Sequence, residues 1–272
     1  MERYSVLMSV YYKEQPEYLK LSVESMLRQT VPPAEFILVC DGPLTKELDN
    51  VIDNFCVCYP NLIKIVRLEK NVGLGSALNT GLQYCGNDLV ARMDSDDIAR
   101  EDRCQRQLDV LANNPEVGMV SGTVEEFSRD VNVVEARRVL PETHGEILSF
   151  AKKRSPFNHP CIMYRKSAVE AAGGYEPFYQ MEDYWLWIRM LMNGTIGYNI
   201  PQPLLWMRAG NQMYQRRSGW KYAKSQMRLF CKMRELGFIN SWSCLMSCAI
   251  RTASSLAPNW LRKRVFAWRL RL

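Results

Sequence analysis

Leu89-Val90-Ala91-Arg92-Met93-Asp94-Ser95-Asp96-Asp97 is a short, mostly apolar run that ends in three carboxylates within four residues. This pattern predicts a buried strand whose end opens into a cleft. Asp94 and Asp96 would alternate along an extended backbone, so we expect their side chains to share one side and to converge on Mg²⁺ or Mn²⁺. Such hard cations often bind through one or two carboxylates and the phosphate oxygens of a substrate. An acidic turn that only caps the next helix is the alternative.

Other chemistries can be compared with this acidic stretch. An EF-hand loop needs an oxygen ligand, a glycine and a glutamate at the places where this chain has Ile98, Ala99 and Gln105, so a calcium loop of that kind is excluded. A phosphatase with Asp94 as nucleophile and Asp96 as acid/base stays open. So does a protein of a different class, a non-catalytic carbohydrate-binding protein.

The alternation of apolar runs with helical patterns predicts the fold. Strands are predicted at 5–10, 35–40, 62–68 and 89–93, and helices at 16–29, 48–55 and 76–84. This order indicates an α/β protein with a doubly wound, mostly parallel sheet. Further strands at 117–120 and 131–140 would continue it as mixed β structure. Ligands bind such sheets beyond the carboxyl ends of the strands.

Composition and charge bound the remaining possibilities. The chain has 272 residues, of which 47% are apolar and 24% charged, as in ordinary globular proteins. Nine cysteines without a CxxC pair and only two histidines argue against a zinc cage or a disulfide framework, and they indicate a reducing compartment. We find no signal-peptide profile, and no apolar stretch reaches the roughly 18 residues of a spanning helix. These features predict a cytoplasmic protein.

The C-terminal part is strongly basic. From Arg208 to the end there are 14 lysines and arginines against one acid. Within 260–272, Leu261, Val265, Trp268 and Leu272 recur at helical spacing, which is typical of a helix in a membrane interface. We therefore predict that 209–272 is a basic helical extension that associates with an anionic membrane surface, and that no nucleic acid is bound. A tail that packs on the rest of the chain or on a second subunit is the alternative.

A glycine-containing stretch precedes the third predicted helix. Asn71, Gly73 and Gly75 follow the third strand rather than the first, and Leu78 occupies the place of the third glycine in a dinucleotide fingerprint. Hydride transfer is therefore excluded. Backbone N–H groups of this stretch can still approach a nucleotide phosphate or sugar, although a plain tight turn explains the glycines equally well.

Taken together and in this order, the motifs resemble glycosyltransferase family 2, which has the GT-A fold. They are Val10-Tyr11 and Glu14, Asp41-Gly42, Asn71 and Gly73, and Arg92-x-Asp94-x-Asp96-Asp97. The resemblance implies a catalytic domain at 1–208, with a donor half (1–100) and an acceptor half (101–208). It also implies a UDP-sugar donor with Mn²⁺ or Mg²⁺ on its diphosphate. The implied donor-site residues are Val10, Tyr11, Glu14, Asp41, Asn71, Gly73, Arg92, Asp94, Ser95 and Asp96.

The resemblance also implies individual roles. Tyr11 would pack on the uracil, Asp41 would hydrogen-bond the nucleoside, and Asp94 and Asp96 would bind the metal. His159, in a His-Pro segment similar to one in the family, would approach the metal or the diphosphate. A histidine that is merely hydrogen-bonded in a turn is the alternative.

Glu182 and Asp183 stand before an aromatic-rich segment and could simply be caps of a helix. The resemblance implies instead that Asp183 is the base and that Glu182 contacts the acceptor. Trp185 and Trp187 cannot face the same side of a helix, so we expect one in the core and place Trp185 in the acceptor site. A carboxylate that takes the proton of the attacking hydroxyl, opposite the leaving group, gives inversion. An α-linked UDP-sugar would thus yield a β-glycoside.

The segments 204–208 and 213–222 are similar to bacterial family members that build O-antigen or exopolysaccharide repeat units on undecaprenyl diphosphate, including amylovoran-type enzymes. This similarity implies transfer of glucose or galactose to lipid-linked GlcNAc or GalNAc, with a β1,3 linkage expected. Arg216 and Arg217 would bind the diphosphate of the acceptor. The enzyme would lie peripherally on the inner face of the bacterial inner membrane, and a homodimer is left open.

Overall fold

A nine-stranded sheet organises the protein, and the computed structural model describes residues 2–209 and 218–256. The strands are β1 (Tyr4–Val10), β2 (Glu35–Cys40), β3 (Ile63–Arg67), β4 (Leu89–Asp94), β5 (Ile98–Ala99), β6 (Val117–Phe127), β7 (Ala136–Arg138), β8 (Met163–Arg165) and β9 (Ile196–Arg208). The helices are α1 (Pro16–Leu27), α2 (Lys46–Cys58), α3 (Leu74–Tyr84), α4 (Arg103–Asn113), α5 (His144–Ala151), α6 (Lys166–Ala171), α7 (Glu182–Met192), α8 (Gly219–Glu235) and α9 (Ser241–Leu256). The predictions for Arg216, Arg217 and the segment 260–272 lie outside the described residues.

The strand order is β3-β2-β1-β4-β8-β6-β9-β5, with β7 paired to β6. The strands β1 to β4 are parallel to one another, whereas β8 runs antiparallel to both β4 and β6. This confirms the predicted parallel sheet with mixed strands on the acceptor side. The predicted strand at 131–140 is wrong for most of its length, because the Asp130 carboxylate accepts a hydrogen bond from the Asn132 amide (2.9 Å) and closes a turn there.

The register of the parallel strands sets the position of the cleft. Val10 pairs with Cys40, and Ser9 pairs with Asp94, so β1, β2 and β4 end at one edge of the sheet. The polar residues that follow these strands are therefore neighbours, as the sheet pattern predicts.

Two apolar cores cover the two faces of the sheet, and α3 packs closely on one of these faces. Gly81 of α3 faces Val39 and Leu7, and an added Cβ would lie 2.4 and 2.6 Å from their methyl groups. A larger residue there would push the helix away from the strands. This contact fixes the position of α3 on the sheet. The loop 71–73 directly precedes that helix.

The described part of the C-terminal extension packs on the rest of the protein. Helix α8 buries Leu229, Phe230 and Met233 in the same core as α7. Its basic side chains lie over aromatic rings: Lys221 over Tyr179 (4.1 Å), Arg228 over Phe178 (5.1 Å) and Lys232 over Trp185 (4.8 Å). These three charges therefore stabilise the docking of α8. The domain boundary at residue 208 remains a prediction.

Between α8 and α9, the thiols of Cys231, Cys244 and Cys248 lie within 4.8 Å of one another, a grouping that the spacing of the cysteines did not predict. Among residues 2–209 and 218–256, no helix has both the length and the apolar character needed to cross a membrane.

Candidate active site

A cavity of about 2330 Å³ opens at the carboxyl edge of β1, β2 and β4. It is larger than the roughly 300–1,000 Å³ of a typical small-molecule pocket, so it has room for two substrates. The predicted site residues that line it are Tyr11, Glu14, Asp41, Asn71, Gly73, Arg92, Asp94, Ser95, Asp96, His159, Glu182 and Asp183. The structure thus brings together residues from both halves of the chain. Val10 lies beneath, buried in the core.

The acidic cluster consists of Asp94, Asp96 and Asp97, with carboxylate oxygens within 4.8 Å of one another. Only Asp94 belongs to β4, and Asp96 lies in the turn that follows. The prediction that Asp94 and Asp96 alternate along an extended strand is therefore wrong, and it is the turn that makes the carboxylates converge. The turn is fixed by Ser22, which donates to the Asp94 carbonyl (2.6 Å), and by Arg208, whose Nε donates to the Asp96 carbonyl (3.0 Å).

Asp97 shows why this cluster suits a cation. Its Oδ1 accepts a hydrogen bond from the Arg208 amide (2.7 Å), while its buried Oδ2 has no hydrogen-bond partner among the described residues. Burial, together with the charges of Asp96 and Asp94, raises the pKa of Asp97 well above its usual value. Three converging carboxylates with an unsatisfied buried oxygen fit a hard divalent cation.

Arg92 supplies a fixed positive charge beside these acids. Its side chain is fully buried, and its Nη2 donates to the carboxylate of Asp94. Its Nε and Nη1 are also buried and have no hydrogen-bond partner among the described residues. The guanidinium therefore retains donors for an anionic or hydroxyl group of a ligand, consistent with its predicted place in the donor site.

Asp41 holds the glycine loop at the cleft. Its carboxylate accepts hydrogen bonds from the backbone amides of Val72 (2.7 Å) and Gly73 (3.1 Å), and its carbonyl accepts one from the Asn71 side chain (3.1 Å). These bonds join the end of β2 to the start of α3. Contact of Asp41 with a nucleoside remains a prediction.

Glu14 and Ser95 form a second link across the donor side. Ser95 donates to the Glu14 carboxylate at 2.5 Å, which ties the loop after β1 to the acidic turn. The Tyr11 ring lies in the same loop, edge to face with Tyr12 at 5.8 Å between centroids. Stacking of Tyr11 on a base remains a prediction.

His159 lines the cavity and pairs with a tyrosine. Its Nε2 lies 3.1 Å from the Tyr175 hydroxyl. Burial and the nearby charge of Arg92 lower the pKa of His159 well below its usual value, so the ring is neutral. Tyr175 thus engages the Nε2 atom, and contact of His159 with the metal or the diphosphate remains a prediction.

Glu182 and Asp183 begin α7 and face the cavity. Burial, together with the charge of Asp183, raises the pKa of Glu182 to about 7. A carboxyl group whose pKa is raised in this way is suited to accepting a proton near neutral pH. The prediction for Trp185 is corrected, because Trp185 is 4% exposed and Trp187 is fully buried. The indole of Trp185 donates to Glu176 (2.9 Å), so both tryptophans belong to the core.

Arg208 was not predicted as a site residue. Besides its bonds to Asp96 and Asp97, its guanidinium lies 3.8 Å from the ring centre of Tyr18 and 4.6 Å from that of Phe127. Nothing in the local sequence indicates that this arginine, at the end of β9, fixes a turn 111 residues earlier. The part that Asp97 plays in the acidic cluster was indicated in the sequence by the run of three acids.

Comparison with known proteins gives a consistent result. Residues 5–173 match the sequence profile of Glycosyl transferase family 2. The amylovoran biosynthesis glycosyltransferase AmsE of Erwinia amylovora is 40% identical over 258 residues, which cover 94% of each chain. The UDP-Gal:alpha-D-GlcNAc-diphosphoundecaprenol beta-1,3-galactosyltransferase of Escherichia coli is 39% identical over 264 residues, covering 97% of this chain and 95% of that protein.

A solved structure shares the fold. The mannosyltransferase PcManGT from Pyrobaculum calidifontis, in complex with GDP-Man and Mn²⁺, superposes with a TM-score of 0.67 at 17% identity, covering 98% of this chain and 81% of that one. The sheet order, the acidic turn at the end of β4 and these similarities agree, and the chain belongs to glycosyltransferase family 2, with the GT-A fold.

Proposed function

We propose that the protein is an inverting, metal-dependent hexosyltransferase. It moves galactose or glucose from a UDP-sugar to a GlcNAc- or GalNAc-diphosphate-undecaprenol acceptor and forms a β1,3 linkage. The observation that carries the proposal is one continuous cavity that holds both the acidic turn and the Glu182–Asp183 pair. The similarity to the Escherichia coli galactosyltransferase over almost the whole chain supports the substrates.

On the donor side, the proposed role of the chain is to bind and orient the nucleotide-sugar. Asp41 keeps the 71–73 loop against β2, and Arg92 lines the cavity and has two donors without a partner among the described residues. Asp94, Asp96 and Asp97 would hold the Mn²⁺ or Mg²⁺. When bound, such an ion neutralises the negative charge that develops on a leaving diphosphate.

On the acceptor side, Asp183 takes the proton of the attacking sugar hydroxyl, which is a poor nucleophile without a base. Glu182 precedes it at the start of α7, where it raises the local negative charge and contacts the acceptor. A single base opposite the leaving group gives one displacement, so an α-linked donor yields a β-linked product. The membership of the chain in family 2 disfavours both the aspartyl phosphatase and the non-catalytic binding protein.

The acceptor proposed here is lipid-linked, so we also propose that the enzyme works peripherally at the inner face of the bacterial inner membrane. The basic composition of the 209–272 extension supports this placement. A homodimer stays a prediction.

Incubation of the purified protein with UDP-Gal, UDP-Glc and UDP-GlcNAc, each with a GlcNAc-diphosphate-lipid, tests the proposal. We expect mass spectrometry to show addition of one hexose from UDP-Gal or UDP-Glc, and NMR to show a β linkage. Release of inorganic phosphate without a sugar acceptor would favour the phosphatase. Sugar binding without turnover would favour a binding protein.

The carboxyl pair predicts a pH dependence. Turnover should fall as the pH is lowered through about 7, because Glu182, whose pKa burial and Asp183 raise to about 7, then takes up a proton and the pair becomes a weaker base. In Glu182→Gln, we expect the acid limb of the profile to move to lower pH, since the variant lacks the carboxyl whose pKa is raised to about 7. A matched control is Glu17→Gln, on the exposed face of α1. An unchanged acid limb in Glu182→Gln would contradict the assignment.

The raised pKa of Glu182 also predicts how the stability of the protein depends on pH. Folded Glu182 binds its proton more tightly than the unfolded chain, whose glutamate has the ordinary pKa of 4.5. The stability that Glu182 contributes is therefore fully present below pH 4.5 and is lost as the pH rises through about 7. Thermal unfolding should show that Glu182→Gln gains stability relative to wild type at pH 8 but not at pH 4.

A further inference from the structure

The cavity continues beyond the catalytic residues, and its character changes there. Its acidic lining residues all belong to the sheet edge or to the start of α7; they are Glu14, Asp41, Asp94, Asp96, Asp97, Glu182 and Asp183. The lining supplied by the end of α5, the loop that follows it and helix α9 contains only basic, polar and apolar side chains. The cavity therefore has an acidic end, where chemistry is proposed, and a basic end with no assigned role.

Three residues form what we call the basic cluster: Lys152, Lys153 and Arg251. The Arg251 Nη2 donates to the Lys153 carbonyl (2.5 Å), which joins α9 to the end of α5. Within residues 2–209 and 218–256, none of the three makes an ion pair. Lysines at a helix C-terminus complement the helix dipole, but that role does not require them to line a cavity. Unneutralised lysines and an arginine in a cavity suit a phosphate group.

The basic cluster is tied to the proposed base. Tyr184, the residue after Asp183, donates its hydroxyl proton to the carbonyl of Ala151 at 2.6 Å. Ala151 directly precedes Lys152. This hydrogen bond therefore holds the start of α7, which carries Asp183, against the end of α5, which carries the basic cluster.

Helix α9 adds an apolar stripe to the same cavity. Trp242, Met246 and Ile250 recur every four residues, line the cavity and are 69%, 41% and 47% exposed. The stripe is about 12 Å long, at 1.5 Å per residue, and it ends beside Arg251. The other face of α9 packs on α8 through Cys244. Exposed apolar surface that is continuous with a charged cavity marks a binding site for an amphipathic ligand.

We propose that the basic cluster binds the diphosphate of the lipid-linked acceptor and that the Trp242–Met246–Ile250 stripe binds its first isoprenyl units. This inference rests on the proposed function. It is supported by the charge complementarity of the cluster to a diphosphate and by the continuity of the stripe with the catalytic cavity. The ligand then lies with its sugar at Asp183, its diphosphate at the end of α5 and its chain along α9. Arg216 and Arg217 lie outside the described residues, and the site does not depend on them.

The test compares two acceptors, GlcNAc-diphosphate-decyl and GlcNAc-diphosphate-methyl, with purified full-length variants. Met246→Gln/Ile250→Gln should raise the apparent KM for the decyl acceptor about tenfold, since that factor corresponds to roughly two methylenes no longer buried, and should leave the methyl acceptor unchanged. Lys152→Ala/Lys153→Ala should raise the KM for both acceptors by about tenfold or more, because charge-assisted bonds to phosphate are lost. The KM for the UDP-sugar should stay within about twofold.

Matched controls come from the same chain. Leu245→Gln/Leu256→Gln changes exposed apolar residues of α9 outside the cavity lining, and Lys20→Ala/Lys46→Ala changes exposed lysines elsewhere. Both control variants should behave as wild type with either acceptor. Thermal unfolding verifies that every variant is folded.

The outcomes separate the inference from the function on which it rests. If wild type transfers hexose to the decyl acceptor and the stripe variants do not distinguish the two chain lengths, the inference is overturned while the function stands. If the stripe variants change only sedimentation with anionic vesicles, α9 is a membrane-docking face and the inference is also overturned. If wild type transfers hexose to neither acceptor, the proposed function fails, and the inference fails with it.

Discussion

Replacing Asp183 with asparagine is expected to lower turnover by about 10²–10⁴-fold, the range typical for the loss of a general base. Asparagine keeps the size and much of the hydrogen bonding of aspartate, but it cannot take the proton of the acceptor hydroxyl. Calorimetry should show UDP binding little changed, because Asp183 belongs to α7 and the predicted donor residues belong to the sheet edge. The loss should therefore appear in kcat rather than in the KM for the donor.

Asp53→Asn, on the exposed face of α2, is the matched control and should retain full turnover. Turnover of Asp183→Asn close to that of wild type would remove the base role from this residue. An α-linked product by NMR would exclude the single-displacement mechanism altogether.

Removal of the metal, or of one of its proposed ligands, should have the largest effect of all. Excess EDTA, or Asp96→Ala, is expected to abolish transfer, because the leaving diphosphate loses its electrostatic stabilisation. Adding Mn²⁺ or Mg²⁺ back should restore the chelated wild type but not Asp96→Ala. The fold should stay intact, since it is the Asp96 carbonyl, retained in the variant, that Arg208 binds. Circular dichroism and thermal unfolding measure this.

Full activity in excess EDTA would contradict the metal proposal. A phosphoenzyme at Asp94, with inorganic phosphate released in the absence of a sugar acceptor, would instead support the phosphatase. Glu17→Ala, which removes an exposed carboxylate of α1 outside the cavity lining, is the control for nonspecific loss of acidic charge.

The parallel strands and the edge that carries the site were predictable from the sequence. Each of the first four strands is a mostly apolar run, and each is followed by a polar motif that must emerge where the strand ends. Parallel connections bring those ends to one edge, so Tyr11, Asp41 and Asp94 were expected to be neighbours. The family resemblance rested on the order of these motifs along the chain. That order determines which strand each motif follows, and therefore where each motif lies at the edge of the sheet.

The finer arrangement of the site depends on contacts between distant segments. Arg208 fixes the acidic turn from the end of β9, and Tyr175 pairs with His159. Trp185 is buried because α8 and the 176–178 segment cover it, although its position on α7 allowed either face. Neither periodicity nor local composition contains these pairings, because each depends on how separately predicted elements pack.

The sequence by itself determined the fold class, the family and the carboxylates of the proposed chemistry. These features are indicated by local periodicity and by the motifs that follow the strands. Only the tertiary structure decided which carboxylates converge, which aromatic residues are core, and that Lys152 and Lys153 share a cavity with α9. The physical reason is that a strand or a turn is set by neighbouring residues, whereas a cavity is formed by surfaces that meet only after packing.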